Sequence, residues 1–560
     1  MEGQKVTTII VSVACICIFV GMAAGHLMGV EKGKQQFRDE LAEQVDRLNV
    51  LERGLGLDQL VDNELLRNKI LQTCIYIEGN YVEPISMDSL SEIVIPNIIK
   101  ELDPHSAYIP RREMQAYNEP LEGEFDGIGV VFNAATDTVI VLNVVPNGPS
   151  EKVGVKAGDR IIYVNDTIIA GVKMPQTDIM KRLRGKRGTS VELKGERQGL
   201  DELLAVEVVR DVIPIHSVES AFMIADGVGF IHLSQFASTT YREVHEALDK
   251  LREAGATKLI LDLRGNAGGF LDQAILVANE FLPKEKLIVY TTGRNEQEQL
   301  RQYSNGRGSA QDMEVVVLID EQSASASEIV AGALQDNDRG TIIGRRSFGK
   351  GLVQNQLMLD DGSALRLTIA KYHTPTGRCI QRPYEKGKGE EYYIDDMVRR
   401  IENNEYFTLD SIHFADSLKY TTPGGKIVYG GGGIMPDEFV PLDTTYVSNY
   451  FTEVSVRNIL YRYTIDYTDR HRQQIDSIDS MAELDAFFAA DKDLMRKFYD
   501  YAASQGVKAN RSEIARSRSV MEAQIKAYIG RNTPLEDDAF YHCIYPIDEA
   551  LRRAVEELTR

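Results

Sequence analysis

The chain of 560 residues is too long for a single hydrophobic core, so the sequence predicts several folded domains. Apolar residues make up 43% and charged residues 26% of the chain, as in ordinary globular proteins, which argues against disorder over most of its length. A formal net charge of −21 argues against DNA or RNA binding, because an acidic protein repels the phosphate backbone.

An uncharged apolar segment occupies residues 6–30, VTTIIVSVACICIFVGMAAGHLMGV. It is long enough to cross a hydrocarbon core of about 30 Å, so it predicts an N-terminal membrane helix. Lys5 favours a cytoplasmic N-terminus, although Lys32 and Lys34 weaken this charge bias. The rest of the chain is then expected to be extracytoplasmic, in the periplasm. The alternative is a signal peptide that is removed after the small residues 23–25.

Composition and periodicity divide the remaining chain into four regions. Residues 31–118 are expected to be helical in pieces, and prolines interrupt the pattern at Pro84, Pro96, Pro104 and Pro110. Residues 119–211 contain short β-rich runs separated by Gly and Asp turns. Strands and helices alternate in residues 212–445, which predicts a parallel or mixed sheet covered by helices. Residues 446–560 are helical and charged, so the fold class is an α/β and β multidomain protein with a helical C-terminal region.

Three serines begin the segment SASASEIVAGALQDN, residues 323–337, where the strand EVVVLID leads into a predicted helix. Ser325 lies at the helix entrance, where free N–H groups and the positive end of the helix dipole would stabilise an oxyanion. The same serine also begins an S-x-x-E capping box with Glu328, which is a purely structural device. From this segment alone, both interpretations stay open.

A lysine follows in RRSFGKGLVQNQLML, residues 345–359, and can serve as the base that a serine nucleophile needs. In an extended strand, Gln354 projects on the same side as Lys350 and can hold its amine. Burial lowers the pKa of a lysine, and Phe348, Leu352 and Met358 are the apolar neighbours expected to provide it. An isolated lysine between two glycines is otherwise an ordinary loop cation.

Glycines at residues 265–269, in the sequence DLRGNAGG, allow main-chain N–H groups to approach a ligand and suit an oxyanion hole or simply a tight turn.

The sequence leaves two alternatives to a serine and lysine pair. A histidine could act as the base, either His373 or His232, although the G-x-S-x-G motif is absent. Residues 344–350 also match G-x-x-x-x-G-K, but Gly351 replaces the Ser or Thr of a phosphate loop.

The motifs ELDPHSAYIP, FDGIGV, DLRGNAGG, SASASEIVAGALQDN, GRRSFGKGLVQ and KYHTPTGRCIQ occur in this order. Together they resemble the carboxyl-terminal processing proteases, also called tail-specific proteases, over roughly residues 65–440. The run GPSEKVGVKAGDRIIYVND resembles the core of a PDZ domain. The resemblance therefore implies a PDZ domain over residues 119–211 and a serine protease core over residues 212–445.

This resemblance also implies the site residues. Ser325 would be the nucleophile, Lys350 the general base and Gln354 the residue that orients the lysine, while Ser323 and Ser327 take structural roles. The oxyanion hole would be formed from Gly268, Gly269 and Ala326. The edge of the PDZ domain that binds a carboxylate would comprise Gly127, Ile128, Gly129 and Val130. Arg184 would contact or sense the bound tail, unless it is an ordinary solvated cation.

The expected function is therefore a membrane-anchored serine endopeptidase that binds the free, disordered C-termini of proteins. No metal or organic cofactor is expected, and the scattered cysteines lack the spacing of a zinc site. Residues 446–560 are expected to mediate docking, either in a homo-oligomer or with a regulatory adaptor. The alternative function is a non-catalytic PDZ scaffold that binds protein tails.

Overall fold

The computed structural model describes residues 69–560, except residues 135–137, 198, 296–298 and 390 and the side chain of Leu71. The predicted membrane segment, residues 6–30, lies outside the described residues. Within them, no helix combines the length and the apolar character needed to cross a membrane. Contacts divide the chain into two units, Met1–Ile95 and Pro96–Arg560.

The described part of the first unit is helical, as the sequence predicts. It contains the helix Lys69–Asn80 and the beginning of the helix Met87–Lys100. Pro96 lies inside this second helix instead of ending it, so the break that the sequence predicts at this proline is wrong. A single proline removes one main-chain hydrogen bond, and the helix continues past it for one more turn.

A PDZ-like β module follows in the second unit. One sheet has its strands in the order Val130–Asn133, Val139–Val144, Arg160–Val164, Ser190–Glu196 and Leu204–Val209, with the short strand Thr167–Ile168 on the third. The module also contains the helices Pro149–Lys152 and Gln176–Leu183. Glu124–Gly127 pairs antiparallel with Asp211–Pro214, so the two ends of the module lie side by side.

The core sheet is a mixed six-stranded sheet. Its strands run in the order Val218–Ala225, Val228–Leu233, Lys258–Asp262, Glu314–Ile319, Thr341–Gly344 and Glu438–Phe439, and only the first pair is antiparallel. Alternate residues along the first five strands enter two separate apolar clusters, which explains why these strands read as continuous apolar runs. One face is covered by the helices Thr240–Glu253, Leu271–Phe281 and Ala326–Asp336.

A second sheet of five antiparallel strands contains the strand that follows Lys350. Its strands are Ala107–Ile109, Leu287–Gly293, Arg301–Tyr303, Leu352–Met358 and Ala364–His373. The helices Met114–Glu122 and Glu391–Glu402, the hairpin Lys419–Thr421 with Ile427–Tyr429, and 3₁₀ turns at Arg111–Glu113, Leu409–Ser411 and Asp416–Leu418 complete this part of the chain.

The C-terminal region is helical and packs on the protease-like core. Its helices are Asn449–Val456, Ile459–Arg470, Arg472–Ile475, Met481–Ala490, Leu494–Ser504, Arg511–Gly530, Glu536–Ile544 and Glu549–Thr559, with a 3₁₀ turn at Tyr545–Ile547. The last helix, Glu549–Thr559, places Leu551, Val555 and Leu558 in one apolar cluster with the second face of the core sheet. The C-terminal region therefore supplies a layer of the core.

Leu551 is fully buried in this layer, so its truncation should destabilise the fold. We expect Leu551→Ala to lower the free energy of unfolding by about 2–5 kcal/mol, because it removes buried methyl groups and leaves a cavity. Urea unfolding measures the effect, with the exposed Glu556→Ala on the same helix as the matched control. Equal midpoints for the two variants would contradict the packing of this helix on the core sheet.

Candidate active site

Ser325 lies in the sharp turn between the strand Glu314–Ile319 and the helix Ala326–Asp336, hereafter the serine helix. Its backbone has φ 54° and ψ −110°, a conformation that a residue with a side chain rarely adopts. Strained strand-to-helix turns of this kind expose the hydroxyl of a nucleophilic serine. The other two serines donate to main-chain oxygens: Ser323 to Leu263 at 2.8 Å and Ser327 to Asn266 at 2.9 Å.

The fully buried Glu328 connects the serine to the lysine segment. Its Oε2 accepts hydrogen bonds from the N–H groups of Ser325 and Lys350, both at 2.9 Å. Its Oε1 accepts from the Gly349 N–H at 2.7 Å and from the Ser347 hydroxyl. Burial raises the pKa of Glu328, and these donors act in the opposite direction. The carboxylate expected from the capping box thus also fixes the main chain at the candidate base.

A buried tyrosine makes a second connection between the same two residues. The Tyr372 hydroxyl lies 3.1 Å from the Ser325 carbonyl oxygen and 2.7 Å from the Lys350 carbonyl oxygen. Tyr372 belongs to the strand Ala364–His373, which pairs with the strand that follows Lys350. Residues 325 and 350, which are distant in the sequence, are therefore held together by Glu328 and Tyr372.

The Lys350 amine donates to Gln354 Oε1 at 3.1 Å, so the structure brings together the two residues that strand geometry pairs. Burial lowers the pKa of Lys350 from its usual value, and the Arg366 guanidinium lowers it further, while Glu328 and Asp103 act in the opposite direction. Within the described part of the chain, no hydrogen bond joins this amine to the Ser325 hydroxyl. The structure thus connects the main chains of residues 325 and 350 through Glu328 and Tyr372, without a direct hydrogen bond between the two side chains.

The segment Asp103 to Ser106, part of the motif ELDPHSAYIP, lies near Lys350, and this proximity was not predicted from the sequence. The Gln354 amide donates to the His105 carbonyl oxygen, and the Tyr393 hydroxyl lies 2.9 Å from His105 Nδ1. Burial lowers the pKa of His105 to about 4, and the nearby Lys350 contributes to this shift. His105 is therefore neutral near pH 7, so it adds no positive charge beside the lysine.

The apolar setting expected for Lys350 is only partly correct. Leu352 is buried, and Phe348 is half-buried beneath the Arg382 guanidinium, 3.9 Å from its ring centre. Met358, however, is exposed at the far end of the strand Leu352–Met358, so its expected contribution to the burial of Lys350 is wrong. Met358 lies six residues beyond Leu352 along an extended strand, so its side chain is too far from Lys350 to bury it.

The glycine loop 265–269 lies directly against Ser325. A side chain on Gly268 would meet Ser325 Cβ at 2.8 Å and the Ala326 nitrogen at 2.9 Å, and its φ of 99° also favours glycine. The Gly268 N–H donates to Asn266 Oδ1 at 2.8 Å and is therefore occupied. The N–H groups of Gly269 and Ala326 have no acceptor among the described residues. These two are the donors that remain for an oxyanion.

The two histidines of the alternative mechanism make other contacts. His373 Nε2 lies 2.9 Å from Thr292 Oγ1, and its Nδ1 lies 3.2 Å from the Gly377 carbonyl oxygen. His232 lies beside Asp262, and its ring makes a tilted contact with Tyr541 of the C-terminal region. Neither forms a hydrogen bond with Ser325 in the described residues.

The match of residues 344–350 to a phosphate loop does not extend to the structure, because a strand, Leu352–Met358, follows Lys350 where a phosphate loop needs a helix.

The predicted carboxylate-binding residues lie at the start of the PDZ-like module. Gly127 ends a strand, Val130 begins the next one, and the buried Ile128 shares an apolar cluster with Ile179 of the helix Gln176–Leu183. Gly129 has a φ of 73°.

Arg184, at the end of the helix Gln176–Leu183, contacts the helix before the module. It donates to Glu119 at 2.6 Å and lies 4.2 Å from the Phe125 ring centre. Contact of Arg184 with a bound tail stays a prediction. In residues 69–560, with the gaps given above, no group of three or more His, Cys, Asp or Glu side chains is arranged to hold a metal ion.

Comparison with known proteins places three families on this chain. Residues 227–386 match the profile of peptidase family S41, and residues 127–208 match that of a PDZ domain. Residues 450–533 match a family of unknown function (DUF8443). The third match shows that the helical C-terminal region recurs in other proteins.

Among curated proteins, the chain is similar to the carboxy-terminal-processing protease of Bartonella bacilliformis, with 37% identity over 54% of this chain and 70% of that protein. It is 34% identical to the carboxy-terminal processing protease CtpA of Bacillus subtilis, over 55% of this chain and 65% of that protein. Among solved structures, the photosystem II D1 C-terminal processing protease is 27% identical, with a TM-score of 0.32 over 57% of this chain and 91% of that one.

Glu328→Gln tests the hydrogen bonds through which the Glu328 carboxylate connects Ser325 to Lys350. An amide offers only one acceptor oxygen, so two of the four donors lose their partner and face an NH₂ group. We expect a loss of about 2–4 kcal/mol in the free energy of unfolding, because unsatisfied buried donors are costly. Denaturant titration measures it, and Glu321→Gln, which pairs with Arg345 on the preceding turn, is the matched control. A loss no greater than that of the control would contradict this role.

Proposed function

The chain belongs to the carboxy-terminal-processing proteases of peptidase family S41 and carries a PDZ domain, and we propose that it is a membrane-anchored, extracytoplasmic serine endopeptidase that cleaves proteins with free C-terminal tails. In this proposal Ser325 is the nucleophile, Lys350 the general base and Gln354 the residue that orients it. The observation that carries the proposal is that Glu328 and Tyr372 both contact the main chain of residues 325 and 350.

Each proton and electron pair has a place in the proposed reaction. The neutral Lys350 amine takes the Ser325 proton as the hydroxyl oxygen attacks a peptide carbonyl, and the N–H groups of Gly269 and Ala326 stabilise the oxyanion. The lysine then gives this proton to the leaving amine as the peptide bond breaks. Water, deprotonated by the same amine, attacks the acyl-enzyme ester, and the lysine returns this proton to the Ser325 oxygen as the ester bond breaks and the new C-terminus is released. The lowered pKa of Lys350 supports this role.

The sheet order of the PDZ domain supports recognition of protein tails. The strand Val130–Asn133 is the first strand in that order, so a peptide can add to its outer edge through main-chain hydrogen bonds. The terminal carboxylate would then meet the turn at Gly127 to Val130. Substrates of this kind need an exposed and disordered C-terminus, because a folded tail cannot add as a strand.

The apolar segment at residues 6–30 is the basis for proposing a membrane anchor with the catalytic region in the periplasm. N-terminal sequencing of the mature protein separates an intact anchor from a removed signal peptide. A homo-oligomer or a regulatory adaptor that binds residues 446–560 remains a proposal, and size-exclusion chromatography with light scattering tests the first of these.

Ser325→Ala is the direct test of the nucleophile. We expect it to lower kcat by on the order of 10³-fold or more, because it removes the hydroxyl that forms the proposed acyl-enzyme. Binding of a fluorescent peptide with a free apolar C-terminus should remain unchanged, since the PDZ domain is intact. A fluorophosphonate should label residue 325 of the unmodified protein, as peptide mass spectrometry would show. Peptide binding without turnover or labelling would instead support the non-catalytic scaffold.

The pH dependence of kcat/KM tests the base. Only the neutral amine accepts a proton, so kcat/KM should fall about tenfold per pH unit below the lowered pKa of Lys350 and level off above it. His105, with a pKa of about 4, does not titrate in that range. Lys350→Arg keeps a positive charge that cannot be removed, so it should be inactive at every pH. Activity in this variant would contradict the assignment.

A further inference from the structure

Arg264 precedes the glycine loop 265–269 and joins it to two carboxylates. Its Nη2 and Nε donate to Asp262, with the shortest distance at 2.7 Å. Its Nη1 donates to Asp548 at 3.0 Å, and Nη2 lies 2.8 Å from the second oxygen of Asp548. The guanidinium is largely buried, so both pairs are shielded from solvent and salt.

The partner Asp262 belongs to the core sheet and is fixed there. It is the last residue of the strand Lys258–Asp262 and is fully buried. Burial alone would raise the pKa of Asp262, but Arg264 lowers it below the usual range. Its Oδ1 also accepts the Arg264 N–H at 3.0 Å, so the start of the loop is defined from the sheet side.

The partner Asp548 comes from the C-terminal region. It is the N-cap of the last helix, Glu549–Thr559, and its side chain accepts the Leu551 N–H at 3.1 Å. That helix packs on the core sheet through its buried leucines. Asp548 therefore has two separate contacts, one that caps its own helix and one that reaches the loop beside Ser325.

Other loop anchors come from the core itself. The Gly265 N–H donates to Asp320 at 3.0 Å, and the Asn266 amide donates to the Leu233 carbonyl oxygen at 2.7 Å. Of the side-chain anchors described here, only Asp548 lies outside the segment that matches peptidase family S41. Through Arg264, the C-terminal region thus supplies one of the contacts at the start of this loop.

We propose that Asp548 is a positioning residue for the oxyanion hole: through Arg264 it helps to hold the loop 265–269, in which Gly268 lies against Ser325 and Gly269 has an N–H without an acceptor among the described residues. The helical C-terminal region is then part of the catalytic unit of this chain. This inference rests on the proposed serine protease function. The reaction is sensitive to this contact because displacements of about 1 Å in an active site can cost on the order of 10²-fold in rate.

Asp548→Ser separates the two contacts of this side chain. Serine is a good N-cap, so it keeps the hydrogen bond from the Leu551 N–H, but it is too short and uncharged to pair with Arg264. Arg264 keeps Asp262 as its partner, so the variant leaves no unpaired buried charge. Glu549→Gln, the next residue of the same helix, is the matched control, because Glu549 pairs with the half-exposed Arg552 and Arg553.

Steady-state kinetics of the full chain on a peptide with a free C-terminus are the first readout. We expect Asp548→Ser to lower kcat by about 10- to 100-fold with KM within about twofold, because the change weakens oxyanion stabilisation and leaves tail binding intact. Affinity for a peptide aldehyde, whose adduct with Ser325 forms an oxyanion, should fall by the same factor. Asp548→Glu, which restores the carboxylate, should recover part of both. Glu549→Gln should change neither by more than about twofold.

The outcomes separate the inference from the proposed function. If Asp548→Ser lowers the melting temperature but leaves kcat and aldehyde affinity unchanged, Asp548 is only structural and the inference is overturned while the protease assignment stands. The same conclusion follows if Asp548→Ser and Glu549→Gln behave alike. If Asp548→Ser does not fold, Asp548→Asn provides the same comparison. A wild-type protein that neither cleaves peptides nor reacts with fluorophosphonate at residue 325 overturns both proposals.

Discussion

One buried carboxylate, Glu328, determines the geometry of the candidate site. It lies in the first turn of the serine helix and accepts from Ser325, Gly349 and Lys350 main-chain N–H groups and from the Ser347 hydroxyl. A buried carboxylate without partners would be costly, and these four donors offset its loss of hydration. Glu328 reaches the donors of residues 347–350, which lower the free-energy cost of its burial, only when this segment lies next to the turn at Ser325. Folding therefore joins two segments of the chain at the point where catalysis needs them.

The core sheet supplies the rigid base for both segments. Residues of its first five strands alternate between two apolar clusters, so these strands are packed on both faces. The serine turn and the loop 265–269 each leave the carboxyl end of a parallel strand, and those two strands are neighbours. Loops from the same edge of a parallel sheet meet there, which is the usual position of active sites in such sheets. The last helix completes the second face, so the C-terminal region contributes to the same base.

Local patterns predicted much of this structure. Apolar runs between turns indicated the strands Lys258–Asp262 and Glu314–Ile319, and helical periodicity indicated the serine helix. The capping box predicted one of the contacts of Glu328. Its contact with Lys350, the Tyr372 bridge and the Arg264–Asp548 pair could not be predicted, because these contacts join segments far apart in the chain. The prediction that Met358 helps to bury Lys350 was wrong for a related reason. Alternation along a strand gives the face on which a residue lies, but it does not give the distance between that residue and the site.

The conformation of Ser325 shows why several weak contacts converge on one residue. Its positive φ costs on the order of 1–3 kcal/mol and persists only when surrounding contacts favour it. Glu328 holds its N–H, Tyr372 holds its carbonyl group, and Gly268 lies so close to its Cβ that no side chain fits between them. Each of these contacts opposes relaxation of the turn. The adjacent Ala326 N–H, in the first turn of the helix, lacks a helical acceptor and remains available to an oxyanion.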